Sequence, residues 1–149
     1  MLQRILLPTD LSHHAGVGVR FGVDLAQRFG ASVTLAHVWD PSVLREPLAP
    51  LLDGADDQEA LLADSRAGLD EELERARLRL PADVSAERVL LEGRDVAQAI
   101  VEEAGRAHEL IVLSTHGRTG LRRFLLGSVA ERIARLSSVH VVTVPVFSD

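Results

Sequence analysis

Residues 114 to 128 read STHGRTGLRRFLLGS, three glycines and three arginines between two serines, directly after the apolar run LIVL. Gly117 and Gly127 are separated by nine residues, and Gly127-Ser128 leads into the helical pattern SVAERIARL. The first N–H groups of a helix have no partner inside it and carry partial positive charge, so a helix entered through a glycine suits an anion. Gly127 lets the backbone approach a phosphate, Ser128 offers a hydroxyl or a helix cap, and Gly117 allows a sharp turn off the strand. Ser128 and Glu131 also have the S-x-x-E spacing of a capping box. The helix dipole contributes about 0.3–2 kcal/mol and each hydrogen bond to a charged group about 1.5–3 kcal/mol. Micromolar affinity needs roughly 8 kcal/mol after association costs. A phosphate group held there would therefore need a buried organic moiety beside it.

Other chemistries are closed by composition. All sixteen basic residues are arginine, which removes the P-loop lysine and Schiff-base chemistry, and the absence of cysteine removes disulfides, thiolates and sulfur redox. The formal net charge of −6 repels nucleic-acid backbones, so no nucleic-acid partner is expected. Arg118, Arg122 and Arg123 are read as a solvated face or as phosphate clamps. His116 lies inside the stretch, and His13 and His14 follow the first apolar run, but adjacent histidines at a helix start point to different sides and no carboxylate at ligand spacing joins them, so no metal site is assigned to protein side chains. His37, His108 and His140 read as ordinary strand or surface residues. No base-activated nucleophile is evident, and the chain is expected not to be an enzyme beyond weak hydrolysis.

The elements that would position this stretch alternate. RILLP (4–8) predicts a strand, with Asp10 and Ser12 as possible caps of a helix running to Phe29, its apolar side formed by Val19, Val23, Leu25, Ala26 and Phe29 and its end marked by Gly30. SVTLAHVW (32–39) predicts a second strand. Pro41, Pro47, Pro50 and Gly54 predict an extended, irregular connection over 40–58 that acts as a lid. A helix from about Asp56 or Glu59 to Leu80 follows, with Leu62, Leu69, Leu73, Ala76 and Leu80 on one side and Glu71 and Arg75 one turn apart. SAERVLLEG is a third strand, DVAQAIVEEAGRAH a helix opened by Asp95, ELIVLST a strand apolar enough to be covered on both faces, and VHVVTVPV a last strand. The 149 residues, 46% of them hydrophobic, predict a single domain over 1–149: a doubly wound α/β fold with a five-stranded parallel sheet, order 3-2-1-4-5, and helices on both faces. Ligands of such sheets lie at the carboxyl ends of the strands where strand order reverses, between strands one and four, so Pro8-Thr9-Asp10 should face Ser114–Gly117 across one crevice. The short opening run predicts no secretory signal and no stretch reaches membrane-span length, so a cytoplasmic, membrane-free protein is expected.

ILLPTD, AHVWD, STHGRTGLRRFLLGSVAERI and VHVVTVP together resemble the universal stress protein family over essentially the whole chain. Its nucleotide-binding branch carries G-x-x-G, nine residues, then G-[S/T]; Gly117, Gly127 and Ser128 match, and Ser114 stands at the first glycine. The resemblance implies ATP as ligand, with Mg or Mn. It puts adenine near Pro8, Thr9 and Val38, Asp10 at adenine or ribose, and the phosphates on Gly117, Gly127, Ser128 and the N–H of Val129, with Ser114, His116 and Arg118 as further contacts. It also implies a homodimer formed through the C-terminal strand, Val141 to Val146, and a role in stress response toward an unidentified signalling partner. A slow ATPase or adenylyl-transfer enzyme, and a nucleotide-free interaction protein of the same fold, are the alternatives.

Overall fold

The structure is a computed structural model that describes residues 1–48, 50, 54–115 and 127–146. Its elements follow in the order β1 (Arg4–Pro8), α1 (Ala15–Phe29), β2 (Ser32–Trp39), α2 (Ser42–Leu48), α3 (Ala55–Leu78), β3 (Ala86–Glu92), α4 (Val96–Ala107), β4 (Leu110–Thr115), α5 (Ser128–Leu136) and β5 (His140–Pro145). The strands form one parallel sheet in the order β3-β2-β1-β4-β5, as the alternation of elements predicts. Side chains of a strand point alternately to its two faces, which sorts the core into two halves. Ile5, Leu7, Val33, Leu35 and Val112 face α1 and α3, meeting Val23, Ala26 and Leu73. Leu6, Ala36, Ile111 and Leu113 face α4 and α5, meeting Ile100, Ala104, Ala130 and Ile133. Leu6, Leu7 and Ile111 are wholly buried, and each such side chain contributes about 1.5–3 kcal/mol by leaving water.

The structure departs from the sequence expectation at α2 and at the buried side of α1. The connection after β2 is not irregular throughout: α2 occupies Ser42–Leu48, with Pro47 inside it. Asp40 accepts from the Ser42 N–H at 2.9 Å and from its hydroxyl at 2.6 Å, while the Arg45 N–H bonds the Pro41 carbonyl at 2.9 Å. An Asp followed by Pro is a helix start, a signal that proline counting hides. The buried side of α1 also differs from its predicted apolar side, because Phe29 is exposed and the stripe against the sheet is Ala15, Gly18, Gly22, Val23 and Ala26. Gly30 does end α1, at φ 67°, in the left-handed region where glycine is favoured. The Glu71–Arg75 pair of α3 forms at 3.1 Å.

α3 is tied to the edge strand β3 through charge. Arg88 donates to Glu74 at 2.7 Å and to Asp70, and Arg77 donates to Glu74 at 2.6 Å, with all four side chains about a third exposed. The hydrogen bonds from Arg77, then those from Arg88, draw the Glu74 carboxyl down from 4.5 to about 2. Because the folded value lies below the unfolded one, the stabilisation is complete above about pH 4.5 and is lost as the pH falls toward 2. Glu74→Gln is therefore expected to flatten the decline of thermal stability across that acid interval. An unchanged slope followed by circular dichroism would mean that the two arginines add nothing there.

Candidate functional site

β1 and β4 pair only at Ile5–Leu110 and Leu6–Ile111, whereas β1 stays paired with β2 up to Pro8–Ala36. Past Leu6 the carboxyl ends of β1 and β4 are released from each other, and the chain leaves them toward helices on opposite faces. A cleft of about 530 Å3 opens at this point, within the ~300–1,000 Å3 range of small-molecule sites. Ala36, Val38, Ile100 and Leu113 give it an apolar floor. Pro8, Thr9 and Asp10 form one wall, and Ser114 with Gly127, Ser128, Val129 and Ala130 forms the other.

The Pro8 wall is a tightly bonded turn. The Thr9 N–H continues the ladder to the Ala36 carbonyl at 2.8 Å, and the Thr9 hydroxyl accepts from the Leu11 N–H at 3.0 Å. One Asp10 oxygen accepts from the Ser12 N–H at 2.9 Å, and Ser12 Oγ accepts from the Ala15 N–H at 3.2 Å. Ser12 thus serves the start of α1, while the Asp10–Ser12 bond closes the turn before it. Leu11 takes φ 63°, a left-handed conformation that costs a non-glycine residue about 1–2 kcal/mol. Packing of its side chain against the α1-facing core holds it there.

On the far wall the helix cap differs from the one predicted. Ser128 is the first residue of α5 and Gly127 occupies the N-cap position, with no side-chain cap bond. The Glu131 N–H bonds the Gly127 carbonyl at 2.9 Å, so the Ser128–Glu131 capping box is not formed. The physical consequence is that the N–H groups of Ser128, Val129 and Ala130 precede the first intrahelical bond, and all three residues line the cleft. Behind this wall Asp95 caps α4 by accepting from the Gln98 N–H at 3.2 Å, and it also receives Arg132 of α5 at 2.6 Å and 3.0 Å. Arg132 first, then the Gln98 N–H, holds the Asp95 carboxyl below the usual carboxylate range. The pair joins the two helix starts that flank the cleft, next to Val96 and Val129.

α1 approaches the site closely because it carries glycine there. A Cβ on Gly18 would lie 2.5 Å from the Ser114 nitrogen and 2.9 Å from the Leu113 carbonyl carbon, and one on Gly22 would collide with Leu7 Cδ2. The two glycines therefore set how near α1 lies to the strand that ends at Ser114.

Of the residues singled out in the sequence, Pro8, Thr9, Asp10, Val38, Ser114, Gly127, Ser128 and Val129 line one cleft. His116, Gly117 and Arg118 lie outside the described residues. The sequence reading passed over Ala15, Ala36, Val96, Ile100, Leu113 and Ala130, small or aliphatic residues that look like any core residue. It also read His37 as an ordinary strand residue. In the structure His37 lines the cleft, and its Nδ1 lies 2.8 Å from the Thr9 carbonyl. A carbonyl oxygen only accepts, so Nδ1 carries the hydrogen. Among the described residues, no three His, Asp or Glu side chains cluster to hold a metal, and no helix is long and apolar enough to cross a membrane.

The fold and the cleft define a doubly wound α/β domain with a cavity of small-molecule size at its topological switch point. The profile of the universal stress protein family matches residues 1–145, and the chain belongs to that family. A universal stress protein of Mycolicibacterium smegmatis is 33% identical over 141 residues, covering 94% of this chain and 45% of its own length, so the chain spans about half of that relative. The solved structure of MJ0577 from Methanocaldococcus jannaschii has a TM-score of 0.78 at 22% identity, covering 100% of this chain and 99% of its own. A universal stress protein solved in complex with cAMP has a TM-score of 0.69 at 22% identity, covering 97% of each chain.

Proposed function

We propose that this chain is a binding module that holds ATP, or a related adenine nucleotide, in the cleft and acts in stress response through partners rather than through strong catalysis. The observation that carries the reading is the convergence of an apolar floor with the open N–H groups of α5. The floor takes the base and sugar out of water, and the helix start takes the phosphates, so the two contributions add where neither suffices alone. Val38 suits the base edge. In a parallel ladder the main-chain groups of alternate residues face the same neighbour, so the N–H and C=O of Val38 face the side to which Ala36 receives Thr9, where β1 has ended. An adjacent donor and acceptor match the ring nitrogen and amino group of adenine. Asp10 in one wall is assigned to adenine or ribose, and Ser114 and Ser128 line the same space. The cAMP complex of a relative supports a nucleotide of this class. A Mg or Mn ion would arrive on the nucleotide, held by phosphate oxygens, since the described cleft brings together the Asp10 carboxylate, hydroxyls and the His37 imidazole already bonded to the Thr9 carbonyl, and among the described residues no three His, Asp or Glu side chains cluster.

The test is direct. Protein purified fresh and then denatured is expected to release adenine nucleotide, and the emptied protein is expected to bind ATP with a Kd of roughly micromolar, about 8 kcal/mol. No released nucleotide together with no heat on titration with ATP and magnesium would leave a nucleotide-free interaction protein as the better reading.

Assembly and location belong to the same proposal. β5 is paired to β4 on one side, and among the described residues no strand covers its other edge. Val141, Val142 and Val144 are half-buried, and an apolar edge of this kind is an aggregation hazard unless a second chain covers it. We place a second copy there, along Val141 to Val146, in a cytoplasmic homodimer. Light scattering at micromolar concentration is expected to give twice the chain mass, and a monomeric mass would contradict it.

A further inference from the structure

We propose that His37 is a positioning residue for this site: by donating its Nδ1 hydrogen to the Thr9 carbonyl, it ends the β1–β2 ladder one bond early and keeps the Val38 N–H available to a base. The inference rests on the nucleotide reading above for the identity of the ligand, and on the hydrogen bonds alone for the mechanism.

The register fixes what the next ladder bond would be. β1 pairs with β2 through Pro8–Ala36, and the Thr9 N–H then reaches the Ala36 carbonyl at 2.8 Å. Continued by one step, the ladder would bring the Val38 N–H onto the Thr9 carbonyl. Among the described residues no main-chain hydrogen bond joins those two groups. The Thr9 carbonyl instead receives His37 Nδ1 at 2.8 Å. The imidazole thereby satisfies a carbonyl that would otherwise stand in the cleft wall without its strand partner, and it holds the Thr9 peptide in the turn that the Leu11 and Ser12 N–H bonds complete. Val38, two residues past Ala36 and lining the same cleft, is left with its N–H on the β1 side, beyond the last ladder bond of that strand. Without His37, the shortest way to satisfy the Thr9 carbonyl is to close it onto Val38, which seals the base end and leaves the α5 end unchanged.

Two variants and two probes separate this from a merely structural role. Asparagine places an amide donor near the position of imidazole Nδ1, and leucine fills similar space with no donor. In the unliganded wild type, the Val38 amide is expected to exchange its hydrogen about tenfold or more faster than the Ala36 amide, read by NMR. His37→Leu is expected to slow Val38 toward Ala36, to weaken adenosine about tenfold or more, and to leave tripolyphosphate within about twofold. His37→Asn is expected to keep the wild-type values of all three. A Val38 amide already as slow as Ala36 in the wild type would overturn the proposal, as would His37→Asn behaving like His37→Leu or equal losses for adenosine and tripolyphosphate. If His37→Leu does not fold, the wild-type exchange rates and His37→Asn still decide. If the exchange pattern appears as stated but wild type binds no adenosine, the ladder-ending role of His37 stands and the nucleotide reading fails.

Discussion

Gly127→Val is expected to weaken ATP by about 10- to 100-fold while changing adenosine by less than about threefold. Gly127 has φ −58° and ψ 151°, an extended conformation that valine adopts without strain, so the substitution acts through bulk at the cleft wall and not through the backbone. The branched side chain would stand at the N–H groups of Ser128 and Val129, where the phosphates are proposed to bond. Losing one hydrogen bond to a charged group costs about 1.5–3 kcal/mol, which sets the size of the effect. Adenosine has no phosphate and would meet only the floor and the Val38 edge. Equal losses for the two ligands, measured by calorimetry, would place the phosphates elsewhere.

Gly18→Ala is expected to destabilise the fold by about 1 kcal/mol net, although alanine is the better helix former. The atoms that the new methyl meets are main-chain atoms of Leu113 and Ser114, and β4 is buried between two helix layers, so neither can move cheaply. Overpacking of a filled interior costs about 1–3 kcal/mol, against a propensity gain near 1 kcal/mol. Gly68 in α3 is the internal control, because a Cβ there has nothing within 4 Å. Gly68→Ala is expected to stabilise by about 0.5–1 kcal/mol. Opposite signs for the two glycine-to-alanine changes in urea unfolding would establish close approach as the cause. Two stabilising results would mean that α1 does not press on β4 as described.

These residues also show what a sequence can and cannot reveal. Strand order and the two core halves follow from apolar runs such as LIVL and ILL, because a strand buried on both faces has no polar side to present. That Pro8, Thr9, Asp10 and Ser114 share one cleft was legible because neighbouring parallel strands β1 and β4 end on the same side of the sheet. The cap of α5 was not legible, since Ser128 suits both the N-cap and the first helical position, and only the backbone angles of Gly127 separate the two. Gly18 and Gly22 carry no apolar signal and drew no reading in the sequence, yet α1 packs closely through them, because contact distance is not written in hydrophobicity. The Asp40-Pro41 start of α2 was hidden by counting prolines rather than asking where each one sits. His37 shows the deepest limit: its partner is a main-chain carbonyl 28 residues away, and no side-chain pattern records a carbonyl.

On the proposed reading, one ligand touches the end of β1, the end of β2 and the start of α5 at the same time. Amide NMR during an ATP titration tests it most directly. Thr9, Val38, Ser114, Ser128, Val129 and Ala130 are expected to shift together along one saturation curve, with adenosine reproducing the shifts of Thr9 and Val38 alone. Saturable shifts confined to another surface, with these six amides unmoved, would contradict it.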